Sequence, residues 1–155
     1  MPDPSACCKI IQASEATEQL YQACQRLVPQ MTTNNPPPTR DQLQRMFSSG
    51  TSTLFVAYAE TAEGDEIIGL GTLIVYHVPT GLRGYIEDVI VDEAYRGRGI
   101  GEALTRTCLE NAQRAGCPQV MLTCNPDREA ANRLYQRMGF VVRKTNVYRY
   151  RFTGR

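Results

Sequence analysis

The sequence predicts an α/β fold built on a mixed sheet. Three observations carry that expectation. β-branched and aromatic runs separated by short turn signals fill the middle of the chain. Two helical patterns with glycine stops follow them. Between the two regions, an apolar strand runs through a glycine-rich loop straight into a helix. With 155 residues, 42% hydrophobic and 21% charged, the chain has the size and composition of one globular domain. Residues 1–155 are read as that single domain, with 1–6 a loose tail.

Taken in order, Lys9 to Ala13 reads as a first strand, and Ser14 as the cap of a helix reaching Val28. Leu20, Cys24 and Leu27 line one face of that helix. Three prolines in Thr32–Pro38 forbid a helix there. Thr39 and Gln42 then form a capping box for a short helix that buries Leu43, Met46 and Phe47. Leu54–Ala59, Ile67–Val78 and Leu82–Val91 read as an antiparallel meander, turning at Gly64-Asp65 and Pro79-Thr80-Gly81. Ile100 opens a helix that Gly116 ends, and Gln119–Cys124 is a strand. Asn125 is the expected cap of the next helix, which carries Ala131, Leu134, Tyr135 and Met138 on one side and stops at Gly139. Phe140–Arg143 and Val147–Phe152 are the last two expected strands.

Composition excludes several classes. The longest uncharged stretch, Ile67 to Leu82, has 16 residues and includes Pro79, too short and broken for a membrane helix. The N-terminus lacks the basic-then-apolar layout of an export signal, so the cytoplasm is expected. Six cysteines without a CxxC pair, and His77 as the one histidine, argue for incidental thiols and against a metal site. Net charge is +1, too small a basic excess for a nucleic-acid binder. It is unevenly spread: eight acids and one base lie between Glu60 and Glu93, while seven bases and no acid follow Glu129. Such asymmetry suits a cationic or a phosphorylated ligand, and equally two solvated faces.

The stretch with chemistry in it is Val89-Ile90-Val91 followed by Arg96-Gly97-Arg98-Gly99-Ile100-Gly101. Glycines let a ligand approach the main chain, and free N–H groups at a helix start attract phosphate. A Rossmann fingerprint would need glycine where Glu102 stands, and a Walker loop would need a Gly-Lys-Ser/Thr run that is absent. A glycine turn with no ligand remains the competing reading at this point.

Arg96-x-x-Gly99-x-Gly101 resembles the Q/R-x-x-G-x-G/A motif of the GNAT superfamily of acetyl-CoA-dependent N-acetyltransferases. Asn132-Arg-Leu-Tyr135-Gln-Arg-Met-Gly139-Phe140 resembles that family's second motif, and the likeness covers about residues 8–153. The resemblance implies a twisted mixed sheet of roughly six to seven strands with about four helices, splayed after the fourth strand to admit the pantetheine arm.

The resemblance also implies roles. Acetyl-CoA's pyrophosphate would lie on the amides of Arg98, Gly99, Ile100 and Gly101, with Gly97 in the same turn and Arg96 and Arg98 adding charge. The main chain of Val89, Ile90 and Val91 would pair with pantetheine, the Val91 amide stabilising the oxyanion. Asn125 and Asn132 join the cofactor set, and Tyr135 would protonate, or hydrogen-bond to, the departing thiolate. Tyr85-Ile-Glu-Asp resembles a segment of polyamine and glucosamine-phosphate acetyltransferases, which makes Glu87 the expected base and Asp88 an acceptor-binding residue. Some family members carry an acid near the strand end where this chain has Thr123-Cys124-Asn125, a departure that places more weight on Glu87. The expected activity is acetyl transfer to a primary amine of a small molecule, polyamine-like or aminosugar-like, by an enzyme that pairs as a homodimer. A protein Nα- or lysine-acetyltransferase and a non-catalytic acyl-CoA-binding module are the other two readings.

Overall fold

The computed structural model describes residues 8–153, so the expected tail at 1–6 lies outside the described residues. The chain forms two compact units, one ending at Thr123 and the other beginning at Cys124.

The first unit holds β1 (Lys9–Gln12), α1 (Glu18–Met31), α2 (Arg40–Ser48), β2 (Ser52–Thr61), β3 (Gly64–Val78) and β4 (Gly81–Val91). A 3-10 turn at Glu93–Tyr95, α3 (Ile100–Arg114) and β5 (Val120–Met121) complete it. The sheet runs β1-β2-β3-β4-β5, with the first three pairings antiparallel and β4–β5 parallel. The mixed α/β fold is therefore as expected, while the strand count is five among the described residues rather than six or seven.

α1 starts three residues later than expected. The Ala13 N–H still donates to Leu54 O at 2.9 Å, so the chain is held along the sheet where a helix capped by Ser14 would begin. Thr17 caps instead, its hydroxyl accepting from the Leu20 N–H at 3.1 Å. The Thr39–Gln42 capping box forms as read, with both reciprocal hydrogen bonds present.

Leu20, Leu27 and Leu43 from α1 and α2 pack on Leu54, Val56, Ile67, Leu70 and Ile90 of the sheet. Burying each such side chain contributes roughly 1.5–3 kcal/mol. On the opposite face α3 lies over two glycines of β3. A Cβ on Gly69 would sit 3.1 Å from Ile90 O and from Leu104 Cδ1, and one on Gly71 3.5 Å from Leu104 Cβ. The missing side chains let the helix come close, and Ile100, Leu104 and Cys108 are fully buried there.

The second unit contains α4 (Glu129–Arg137). Asn125 does not cap it: its Oδ1 accepts the Asp127 N–H at 2.9 Å, an Asx turn that postpones the helix until after Arg128. Residues 140–152 form no strand, contrary to expectation. Alternating apolar residues satisfy a strand's pattern, but a strand also needs a hydrogen-bonded partner. Tyr150 and Phe152 instead meet edge to face, centroids 5.2 Å apart.

Candidate active site

β4 is interrupted where the chemistry was expected. Leu70 pairs with Ile90 and Thr72 with Glu87, so Asp88 and Val89 together stand opposite Gly71. The extra residue is a β-bulge, and Asp88 in it takes φ +49°, a left-handed conformation uncommon outside glycine, asparagine and aspartate. The bulge resets which way side chains point. Thr72 lies opposite Leu54, and Leu54, Leu70 and Ile90 all belong to the α1 face of the core. Glu87, paired with Thr72, therefore shares that face with Ile90, although strict alternation would put positions 87 and 90 on opposite sides.

Glu87 and Asp88 expose much of their side-chain area, yet the protein around their carboxyl groups removes enough water to push both above the ordinary carboxylate range. Desolvation is the main cause at Glu87, and the neighbouring Asp88 charge adds to it. A carboxylate held above its usual pKa is a better proton acceptor from an ammonium group than an ordinary one.

β5 bonds to β4 only at Gly84 and Tyr85, and no other described strand lies beside β4 on that side. Val89, Ile90 and Val91 thus border the place where the sheet opens, as the expected splay requires.

After Val91 the chain turns at Asp92, which is 7% exposed. Its Oδ1 accepts from the Ala94 N–H at 3.1 Å, and its other oxygen is gripped by Arg26 of α1. Arg26 also donates to Ile67 O at 2.6 Å and pairs with Glu66 at 3.1 Å. Gln30, one helical turn further, accepts the Glu93 N–H at 2.8 Å. Arg96 donates to Val91 O at 3.1 Å and to Gln30 O at 3.4 Å, while Arg98 donates to Ala94 O at 3.2 Å and lies 5.1 Å from the Tyr95 ring.

The loop itself is glycine-shaped. Gly97 and Gly99 have φ +76° and +79°, and Gly99 is the N-cap of α3 with no side chain to occupy the helix end. The first helical bond runs from Ala103 N to Gly99 O, so the Ile100 and Gly101 N–H groups have no helical acceptor. Bare amides, a positive dipole end and two nearby guanidinium groups make this helix start suited to pyrophosphate.

In the second unit, Asn132 Nδ2 donates to Asn125 O at 2.8 Å, bringing these two expected cofactor residues together. Tyr135 is half-buried on the same side of α4 as Ala131, Leu134 and Met138. Among the described residues no cluster of three metal-ligating side chains exists, and burial pushes the Cys24 and Cys108 thiols to about 11 and about 12. Sequence reading missed Arg26, Gln30 and Asp92. A capping-competent Asp92 at a strand end was the visible signal for the last, whereas its partners lie too far back in the chain to be paired by inspection.

The family model described as Acetyltransferase (GNAT) family matches residues 15–140, and the chain belongs to that family. It is an acetyl-CoA-dependent N-acetyltransferase. Glucosamine 6-phosphate N-acetyltransferase 1 of Oryza sativa subsp. japonica is 32% identical over 123 residues, 75% of this chain and 72% of that protein. N-alpha-acetyltransferase 30 of Schizosaccharomyces pombe is 38% identical over 78 residues, 50% of this chain and 51% of its own length. Among solved structures, an aminoglycoside acetyltransferase from an uncultured soil metagenomic sample, in complex with sisomicin, has a TM-score of 0.79. It is 19% identical, with 98% of this chain and 100% of that chain covered, and it bears on the fold alone.

Proposed function

We propose that the enzyme acetylates the primary amine of a small aminosugar, a hexosamine phosphate first among candidates. The observation that carries this is the breadth of the likeness to the rice glucosamine 6-phosphate enzyme, which spans about three-quarters of both chains. The Tyr85-Ile-Glu-Asp segment supports it from the residues. A polyamine-like acceptor suits the acidic middle of the chain.

In this reading residues 1–155 act as one domain. The loop amides from Arg98 to Gly101 bind the pyrophosphate of acetyl-CoA, with Asn125 and Asn132 adding contacts, and Val89–Val91 align the pantetheine arm. Asp88 helps to hold the acceptor. Glu87 takes a proton from the ammonium form of the acceptor, directly or through water, and frees the nitrogen lone pair. That nitrogen bonds to the thioester carbonyl carbon, and the Val91 N–H stabilises the negative oxygen that results. As the C–S bond breaks, the departing sulfur takes the Tyr135 hydroxyl proton, and the second proton shed by the acylated nitrogen restores the Tyr135 phenol, giving N-acetylated amine and free CoA. Tyrosine suits the task because its phenol, with an ordinary pKa near 10, is protonated at neutral pH.

Cys24, Cys108, Cys117 and Cys124 are free thiols, which favours a reducing compartment such as the cytoplasm. No described helix is long and apolar enough to cross a membrane. Pairing of two copies rests on the family resemblance, and light scattering on a sizing column reads it directly.

Thiol release from acetyl-CoA, measured across hexosamine phosphates, free hexosamines, polyamines and N-terminal peptides, tests the proposal. Turnover confined to peptides would replace it with Nα-acetylation, the reading favoured by the 38% identity to the yeast enzyme. Cofactor binding with no turnover on any amine would leave only a binding module.

A further inference from the structure

We propose that Gln30 and Arg26 of α1 are positioning residues for the cofactor loop, fixing the turn from which that loop springs. The inference rests on the reading that acetyl-CoA's pyrophosphate lies on the Arg98–Gly101 amides.

The loop has little of its own to hold its shape. Two of its residues are glycines at positive φ, Gly99 offers no side-chain cap, and a Cβ on Gly97 would meet nothing within 4 Å. Its pose is therefore set at its ends. Downstream, Ile100 and Leu104 anchor α3 in the core at 2% and 0% exposure. Upstream, the anchor is α1, more than sixty residues earlier in the chain.

Arg26 and Gln30 grip different atoms of the same turn. The Arg26 guanidinium holds one oxygen of Asp92 while the other oxygen takes the Ala94 N–H, so the side chain of a buried acid is locked from both sides. Gln30 Oε1 takes the Glu93 N–H, which opens a 3-10 turn and has no acceptor within it. The main-chain Gln30 O receives Arg96, whose Nε also binds Val91 O. The end of β4, the turn and the first loop residue are thereby tied to one face of α1. Amides aimed at phosphate lose affinity when their direction drifts, so this clamp sets cofactor affinity rather than the chemical step.

Arg26 is a poor probe, because removing it leaves the Asp92 carboxylate buried without its cation. Gln30 is half-buried, and Gln30→Met keeps its length and helical preference while deleting the acceptor. The full-length enzyme should then show KM and Kd for acetyl-CoA raised roughly 3- to 10-fold, the scale of one hydrogen bond. Its kcat at saturating acetyl-CoA and its KM for the amine should stay within about twofold of wild type. Unchanged acetyl-CoA affinity, or a kcat loss without a KM change, overturns the proposal whatever the thermal melt shows. Gly101→Val, measured alongside, separates the two levels. If it weakens acetyl-CoA and Gln30→Met does not, the clamp alone is wrong. If Gly101→Val folds and keeps wild-type affinity, the loop is not the cofactor site and both readings fall.

Discussion

The rings of Tyr135 and Phe140 meet edge to face, 5.7 Å between centroids and 68° between planes, across the end of α4. The contact belongs to a Schellman motif. The Phe140 N–H donates to Tyr135 O and the Gly139 N–H to Gln136 O, both at 3.0 Å, with Gly139 at φ +97°. The Gly-Phe pair that closes the second motif thus holds the Tyr135 ring in place: glycine makes the turn, and phenylalanine packs on the tyrosine.

Tyr135→Phe consequently isolates the hydroxyl. The ring contact and the helix stop do not need that oxygen and survive the substitution. Turnover should fall about 10²-fold or more, within the range for a positioned proton donor, with acetyl-CoA affinity preserved. Steady-state kinetics, with chemistry shown to be rate-limiting, check this. Intact turnover with shifted stability would make Tyr135 a packing residue.

The raised pKa of Glu87 gives a pH prediction. A base works deprotonated, so kcat/KM should drop as pH falls through the elevated Glu87 pKa, and Glu87→Gln should lower kcat by roughly 10²–10⁴ while removing that limb. Asp88→Asn deletes the neighbouring charge that raises Glu87, and the acid limb should move to lower pH. Stability has the opposite sense. Both acids sit above their unfolded values, so the folded state holds more protons in that interval and stability declines as pH rises through it. A kcat/KM profile from pH 4 to 8 with paired melts reads both effects.

Asp88 also carries backbone strain that can be tested without activity. At φ +49° a β-branched side chain is crowded against its own carbonyl, so Asp88→Val should cost about 1–2 kcal/mol. Asparagine tolerates that conformation, and Asp88→Asn should melt close to wild type or above it. Equal melting of the two variants would mean the bulge relaxes easily.

What was legible in the sequence was local. Thr39 with Gln42, and the glycine stops at Gly116 and Gly139, each encode a helix end within four or five residues, and all three appear as read. The loop from Arg96 to Gly101 was legible for the same reason. Features that need a distant partner were not. Ser14 is a competent cap, yet sheet bonding at Ala13 overrides it. Phe140–Arg143 and Val147–Phe152 have a strand's alternation, yet neither forms a strand. The bulge at Asp88 depends on a register with β3, and the Arg26–Asp92 contact on a packing direction. No short spacing announces either.

The two glycines beneath α3 give the last prediction, and they separate close approach from mere smallness. Both lie on β3 facing the same helix, and neither is at positive φ, so backbone freedom is not what they supply. At Gly69 an added methyl meets the Ile90 carbonyl oxygen at 3.1 Å. That atom belongs to the strand backbone and cannot move without shifting β4 beside Val91. At Gly71 the nearest atoms are Leu104 Cβ at 3.5 Å and Cys108 Sγ at 3.7 Å, ordinary contacts. Gly69→Ala should therefore cost about 1–3 kcal/mol, as overpacking does, and weaken acetyl-CoA binding by displacing the main chain that leads into the loop. Gly71→Ala should be near neutral or slightly stabilising, since it fills contact distance and stiffens the unfolded chain. Chemical denaturation of the two variants, with acetyl-CoA titrations on each, decides it: equal losses at both sites would mean that α3 itself shifts, and that its distance from β3 is not what holds the loop.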